Sequence, residues 1–256
     1  MGNESDPPLV SPAAPDSSID HAHSIEYWNS VSSDINGMLG GFPQTSRIDL
    51  QGSSNFLVKF RRGKQRAVKQ NLPSIGRAAD CGAGIGRITK GLLMGVSSKV
   101  DIIEPVKKFT DEFMVSLQEE EKDKVGVIVN LGLQDWVPEP GAYGLIWNQW
   151  CLGHLTDAQV VAYLRRCSDG LVKSSAGAGA TSQGGMQQGW IVVKENMSAT
   201  INDSDIYDDE DSSVTRSDTN FRRLFKEAGL KIVAEEVQRG FPKGLFTVRM
   251  YALQPE

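Results

Sequence analysis

Residues Asp80-Cys81-Gly82-Ala83-Gly84-Ile85-Gly86-Arg87 place three glycines at alternate positions after a short apolar run. Glycines in such a turn let backbone approach a ligand closely where a strand gives way to a helix. In a βαβ setting the expected ligand is nucleoside-like. A dinucleotide fingerprint G-x-G-x-x-G would need glycine at position 87, and the chain has Arg87 there. A G-x-G-x-G spacing behind an acid points instead to S-adenosylmethionine. Glu104 follows about two dozen residues later, where an acid accepts both ribose hydroxyls. Arg87 suits a ligand carboxylate. Leu133-Gln134-Asp135 stands where main chain and side chain meet adenine.

A second group of residues suggests what the methyl group reaches. Asp203, Asp205, Asp208, Asp209, Glu210 and Asp211 crowd one stretch. Such runs are usually solvated loops. This one follows a strand end, contains Ile206 and Tyr207 as anchors, and precedes Ser212-Ser213-Val214. An acidic loop over a methyl-donor site suits a cationic acceptor such as an amine. His21 and His23 sit by a polar tail and are expected to face solvent. His154 follows a strand end beside Gln149, which makes it a base candidate as well as a possible structural histidine. Tyr27, Trp28 and Trp150 read either as core aromatics or as an apolar wall for ligand.

These residues need elements to hold them. Ser24-Ile25-Glu26-Tyr27-Trp28 reads as a capped helix start, and Ser53–Lys64 as a helix with a basic outer face. Strands are expected at Ile75–Cys81, Lys99–Glu104, Val125–Leu131, Tyr143–Trp147 and Trp190–Lys194. The intervening helices are expected from Ile88, over Phe109–Glu121 and over Asp157–Leu171, with another at Thr219–Ala228. Lys231–Gln238 and Phe246–Leu253 read as an antiparallel hairpin at the sheet edge. Alternating βα units with a terminal hairpin imply an α/β, Rossmann-like doubly wound sheet of seven strands, helices on both faces, and an N-terminal helical extension over residues 24–72. Ligands in such sheets sit at the C-terminal strand ends, where Gly82, Glu104, Gln149 and Asn196 all fall. Residues 1–23 are expected to be a disordered tail, and 173–189, built from Ser, Ala, Gly, Gln and Thr, a flexible insert in a single domain.

The 256 residues are 39% apolar and 23% charged, a globular balance with net charge −5. That charge argues against a nonspecific nucleic-acid binder. Cys81, Cys151 and Cys167 show no metal-ligand spacing, so no metal is expected, and their number suits a reducing compartment. No apolar run is long enough for a membrane span, and no secretory signal is legible.

Several segments resemble the eukaryotic protein N-terminal methyltransferases. They are the glycine turn through Lys90, Gly37-Met38-Leu39-Gly40-Gly41, Gly132-Leu133-Gln134-Asp135-Trp136, Trp147-Asn148-Gln149-Trp150, Gly153-His154-Leu155-Thr156-Asp157, Lys194-Glu195-Asn196-Met197 and Asp211-Ser212-Ser213-Val214. The glycine turn is shared with many methyltransferases; the Trp-Asn-Gln-Trp, Gly-His-Leu-Thr-Asp and Asp-Ser-Ser-Val segments are far more specific. The resemblance implies methylation of the free α-amine of proteins that begin Xaa-Pro-Lys or Xaa-Pro-Arg after Met removal. It implies cofactor contacts at Trp28, Gly82, Arg87, Glu104, Pro105, Val106, Leu133, Gln134 and Gln149. It places Tyr27, Leu39, Trp150, Asp208, Ser213 and Leu245 around the acceptor peptide. Asp211, His154 and Asn196 become the catalytic set, with either Asp211 or His154 as base. The expected partners are N-terminal peptides, ribosomal proteins among the candidates, met by a monomer in the cytoplasm or nucleus. Leu245-Phe246 stands where the family often has Ile-Tyr, and Glu104 where many members have Asp. The competing readings are a small-molecule amine methyltransferase and a non-catalytic cofactor-binding module.

Overall fold

The computed structural model describes residues 14–62, 72–173 and 188–256. The N-terminal part holds α1 (His21–Ser30), α2 (Ile35–Met38) and α3 (Ser46–Arg62). Then come β1 (Arg77–Cys81), a helical turn at Thr89–Leu93 running into α4 (Met94–Val96), β2 (Lys99–Ile103), α5 (Lys107–Val115), α6 (Glu119–Lys122) and β3 (Val125–Val129). β4 (Leu145–Gln149), α7 (Asp157–Gly170), β5 (Trp190–Met197), β6 (Ile206–Asp208) and β7 (Ser213–Thr215) follow. α8 (Asp218–Glu227), β8 (Leu230–Val237) and β9 (Thr247–Pro255) end the fold.

Seven strands form one sheet in the order β3-β2-β1-β4-β5-β9-β8. The first five run parallel, and β9 pairs antiparallel with both β5 and β8. Strand order reverses between β1 and β4, so a crevice opens beyond their C-terminal ends. Alternate strand residues feed two cores. Ala79, Cys81, Ile146 and Val193 face α7 and α8, whereas Ala78, Ile102, Trp147 and Val192 face α3 and the Ile88–Met94 turn. Central strands are therefore apolar on both faces, as a doubly covered parallel sheet requires.

Three local expectations change. Phe109–Glu121 is not one helix: α5 stops at Val115, and Gln118 caps α6 through a reciprocal bond with Glu121. The acidic stretch is a two-stranded hairpin, β6 against β7, rather than a plain loop. The tail expectation is corrected from residue 14 onward. Pro15–Ser18 forms a 3-10 turn, and Asp20 caps α1 by accepting from the backbone N–H of Ala22 and His23. Two long-range bonds hold this segment despite its polar composition. Asp157 N donates to Asp16 at 2.8 Å, and Asp20 N donates to Ser212 Oγ at 2.7 Å. Residues 1–13 and 174–187, and with them most of the expected insert, lie outside the described residues.

Candidate active site

β1 delivers the glycine turn to the crevice. Gly82, Gly84 and Gly86 all adopt positive φ, at 66°, 55° and 72°. That conformation is costly for residues with a Cβ. Gly86 is also pressed from behind, because an added Cβ would stand 2.1 Å from the Phe113 ring. A Cβ on Gly84 would instead project toward Met38, 2.6 Å from its sulfur, into the space the turn keeps open.

That space is a cavity of about 840 Å³. Its walls include all the expected cofactor residues: Trp28, Gly82, Arg87, Glu104, Pro105, Val106, Leu133, Gln134 and Gln149. They also include Leu39, Trp150, His154, Asn196, Asp208, Asp211, Ser213 and Leu245. Tyr27 is absent from the lining. Its ring packs edge-on against Trp28, and burial, with Glu210, Asp211 and Asp208 nearby, raises its phenol pKa.

Glu104 lies at the end of β2, buried, with one carboxylate oxygen accepting from Gly84 N at 2.8 Å and the other from Val106 N at 2.9 Å. Burial nevertheless pushes its pKa up to about 7. Each oxygen retains a lone pair for a hydroxyl donor. Asp80 is tied to Thr89 Oγ1 at 2.6 Å, and its pKa rises to about 6 through burial. Its role is to brace the turn from beneath.

Arg87 is already engaged. Its guanidinium donates to Asp49 Oδ2 at 2.7 Å and lies 5.5 Å from the centre of the Trp150 ring. Asp49, fully buried on α3, also accepts from Gln149 and pairs with Lys194 Nζ at 2.5 Å. Burial lifts the Asp49 pKa, but Lys194 and Arg87 outweigh it and hold the carboxylate below its ordinary range. This buried cluster fastens α3 beside Arg87 and Gln149 on the cavity wall. Sequence inspection missed Asp49 and Lys194, because nothing local marks two residues 145 positions apart as partners.

β4 delivers the opposite wall. Trp150 leaves the strand at φ 53°, a strained backbone for a bulky residue. Glu195, buried on β5, accepts from Cys151 N and Leu152 N at 2.9 Å each and holds the following turn. Arg216, fully buried, donates to the carbonyls of Leu152 and Leu155 and so clamps both ends of the turn that carries His154. Glu195 and Arg216 were also missed. The only sequence signal was Glu195's place beside Asn196 at the end of a strand.

His154 is buried, and both ring nitrogens are occupied. Ser24 Oγ lies 2.9 Å from Nδ1, and the Trp28 indole N–H donates to Nε2 at 3.2 Å. Burial lowers its pKa, against an opposing pull from Asp211. Asp211 Oδ1 is the contrasting group: it is buried on the cavity wall and has no hydrogen-bond partner among the described residues. Asp208 is exposed on the same hairpin, one oxygen accepting from Glu210 N at 3.0 Å.

The cavity fits S-adenosylmethionine. The glycine turn leaves room for backbone-close binding, Glu104 keeps acceptor lone pairs beside it, and Arg87 and Gln149 line the same space. The family profile described as "AdoMet dependent proline di-methyltransferase" matches residues 16–254. An alpha N-terminal protein methyltransferase 1 of Schizosaccharomyces pombe is 43% identical over 242 residues, 92% of this chain and 96% of the relative. An N-terminal Xaa-Pro-Lys N-methyltransferase 1 of Xenopus tropicalis is 40% identical, over 90% of this chain and 92% of the relative. Among solved structures, a SAM-dependent methyltransferase of Leishmania major superposes with a TM-score of 0.75 at 35% identity, covering 91% of this chain and 82% of that one. The chain belongs to the AdoMet-dependent alpha N-terminal protein methyltransferase family.

Proposed function

We propose that this protein methylates the free α-amine of protein N-termini of the Xaa-Pro-Lys or Xaa-Pro-Arg type. The observation that carries the proposal is the buried, unpartnered Asp211 oxygen on the wall of the same cavity as the glycine turn. A buried carboxylate oxygen without a donor is costly, and an approaching amine supplies one. When bound, S-adenosylmethionine supplies an electrophilic methyl group on a sulfonium sulfur. Gly82, Gly84, Glu104, Arg87 and Gln149 would hold it.

The amine must shed a proton before its lone pair can attack. An α-amine has a pKa of about 7.7–8.0, against about 10.4 for lysine, so little driving force is needed. Asp211 takes that proton. His154 is less suited, because its Nε2 lone pair already accepts from Trp28. Asn196 orients the first residue through its backbone, and Asp208 pairs with the cationic third residue. The remaining acceleration comes from alignment in a closed space.

The test is incubation with labelled cofactor and a peptide beginning Pro-Pro-Lys, free or N-acetylated. Label on the free peptide alone is the expected result. Equal label on both would move the acceptor to a side chain and overturn the assignment.

A further inference from the structure

Ser24 is a buried polar residue that the chemistry above leaves unused. It sits on α1 and is only 4% exposed. α1 is pinned in place at its start. Asp20 N donates to Ser212 Oγ, and the His23 ring reaches the Glu210 carbonyl at 3.0 Å, both on the acidic hairpin. This docking turns Ser24 and Trp28, one helical turn apart, onto the two nitrogens of His154.

The proton positions on that ring follow from donor chemistry. An indole N–H only donates, so His154 Nε2 must be the lone-pair nitrogen. A neutral imidazole carries one ring proton, which therefore sits on Nδ1 and is donated to Ser24 Oγ. The reversed tautomer would set the Nε2–H against the Trp28 N–H. Burial, with His21 adding to it, favours the neutral ring and outweighs the opposing pull of Asp211 and the Ser212 backbone.

We propose that Ser24 is a positioning residue that fixes His154 as the neutral Nδ1–H tautomer and holds the ring against Trp28. α1, whose first residues His21–His23 belong to the stretch that reads as a tail, thereby sets the state of a side chain on the cavity wall. The kinetic consequence rests on the N-terminal methylation proposed above; the tautomer does not.

The experiment has two arms on the full chain. The first records ring-nitrogen NMR shifts of histidine-labelled protein at neutral pH. The three histidines are assigned with His21→Asn and His23→Asn variants. The expected spectrum shows His154 with protonated Nδ1 and unprotonated Nε2, and Ser24→Ala moves both signals toward an averaged tautomer. A charged ring, an Nε2–H ring, or a spectrum unmoved by Ser24→Ala would overturn the proposal. The second arm measures turnover on the free peptide. Ser24→Ala is expected to lower kcat about tenfold with the peptide KM nearly unchanged, and Ser24→Thr to restore it. Equal loss in Ser24→Ala and Ser24→Thr would also overturn it. If the wild-type chain leaves the free peptide unmethylated, the functional assignment fails, while the NMR arm still decides the role of Ser24.

Discussion

Asp211 lines the cavity and Asp49 is buried behind it, beneath Arg87 and Gln149, and substitution should separate their roles. Among the described residues Asp211 Oδ1 has no hydrogen-bond partner, so Asp211→Asn removes little that the resting fold uses. It should lower kcat by about 100-fold or more while leaving the affinity for S-adenosylhomocysteine within about twofold, read by steady-state kinetics and calorimetry. Normal turnover would remove Asp211 as the proton acceptor. Asp208→Ala should act on the other parameter, raising the peptide KM with kcat nearly unchanged. Asp49 behaves differently because two buried cations, Lys194 and Arg87, depend on it. Breaking such a cluster from one side strands charge, so Asp49→Ala should cost about 3–5 kcal/mol in urea unfolding. The double variant Asp49→Leu, Lys194→Met removes both charges of one pair and should cost less than Asp49→Ala alone. A larger cost for the double variant would show that the pair itself, not the stranded charge, carries the stability.

At the scale of elements, local pattern was readable where it coincided with local cause. The glycine turn, the alternation of strands and helices and the terminal antiparallel hairpin follow from residues close in sequence, and the structure has all three. The break between α5 and α6 was missed because the apolar spacing runs on through Leu117 while Gln118 starts a new cap. The β6–β7 pairing was missed because its acidic turn hides strands of only three residues. Residues 14–20 looked unable to order themselves, and by composition alone they are; their order comes from bonds to Ser212 and Asp157 far along the chain. Asp49, Lys194, Glu195 and Arg216 share that cause, since burial creates their partnerships and no spacing announces them. The glycine turn also offers a test of its own geometry. Gly86→Ala meets both a positive φ of 72° and the Phe113 ring. It should destabilise the fold by about 2–4 kcal/mol, whereas Gly84→Ala, which carries its own positive φ but projects toward the cavity and a flexible methionine, should cost less stability and weaken S-adenosylhomocysteine binding.

Over the whole molecule, three buried acids at the strand ends make stability depend on pH in an unusual direction. Burial pushes Asp80 up to about 6, and Glu104 and Glu195 each up to about 7. In the unfolded chain such groups titrate near 3.9–4.3. Between those values the folded protein keeps protons that the unfolded chain has lost, so stability falls as pH rises through this window. The contribution is complete below about pH 4 and gone above about pH 7 to 8. Groups with a depressed pKa act with the opposite sign, and His154 and Asp49 among them do so lower in pH. His154, whose pKa burial depresses, weakens the fold as pH falls below the ordinary histidine range, and Asp49 does so only at more acidic pH. Between pH 6.5 and 8 the buried glutamates therefore dominate this balance. The ligand-free protein should lose roughly 1 kcal/mol per glutamate across that interval, seen as a falling urea midpoint at constant slope. Glu195→Gln should flatten the decline by about half, because the amide still accepts from Cys151 N and Leu152 N without a titrating proton. A midpoint that stays level or rises from pH 6.5 to 8 in the wild-type chain would mean that these carboxylates are ionised throughout, held by their backbone donors against burial.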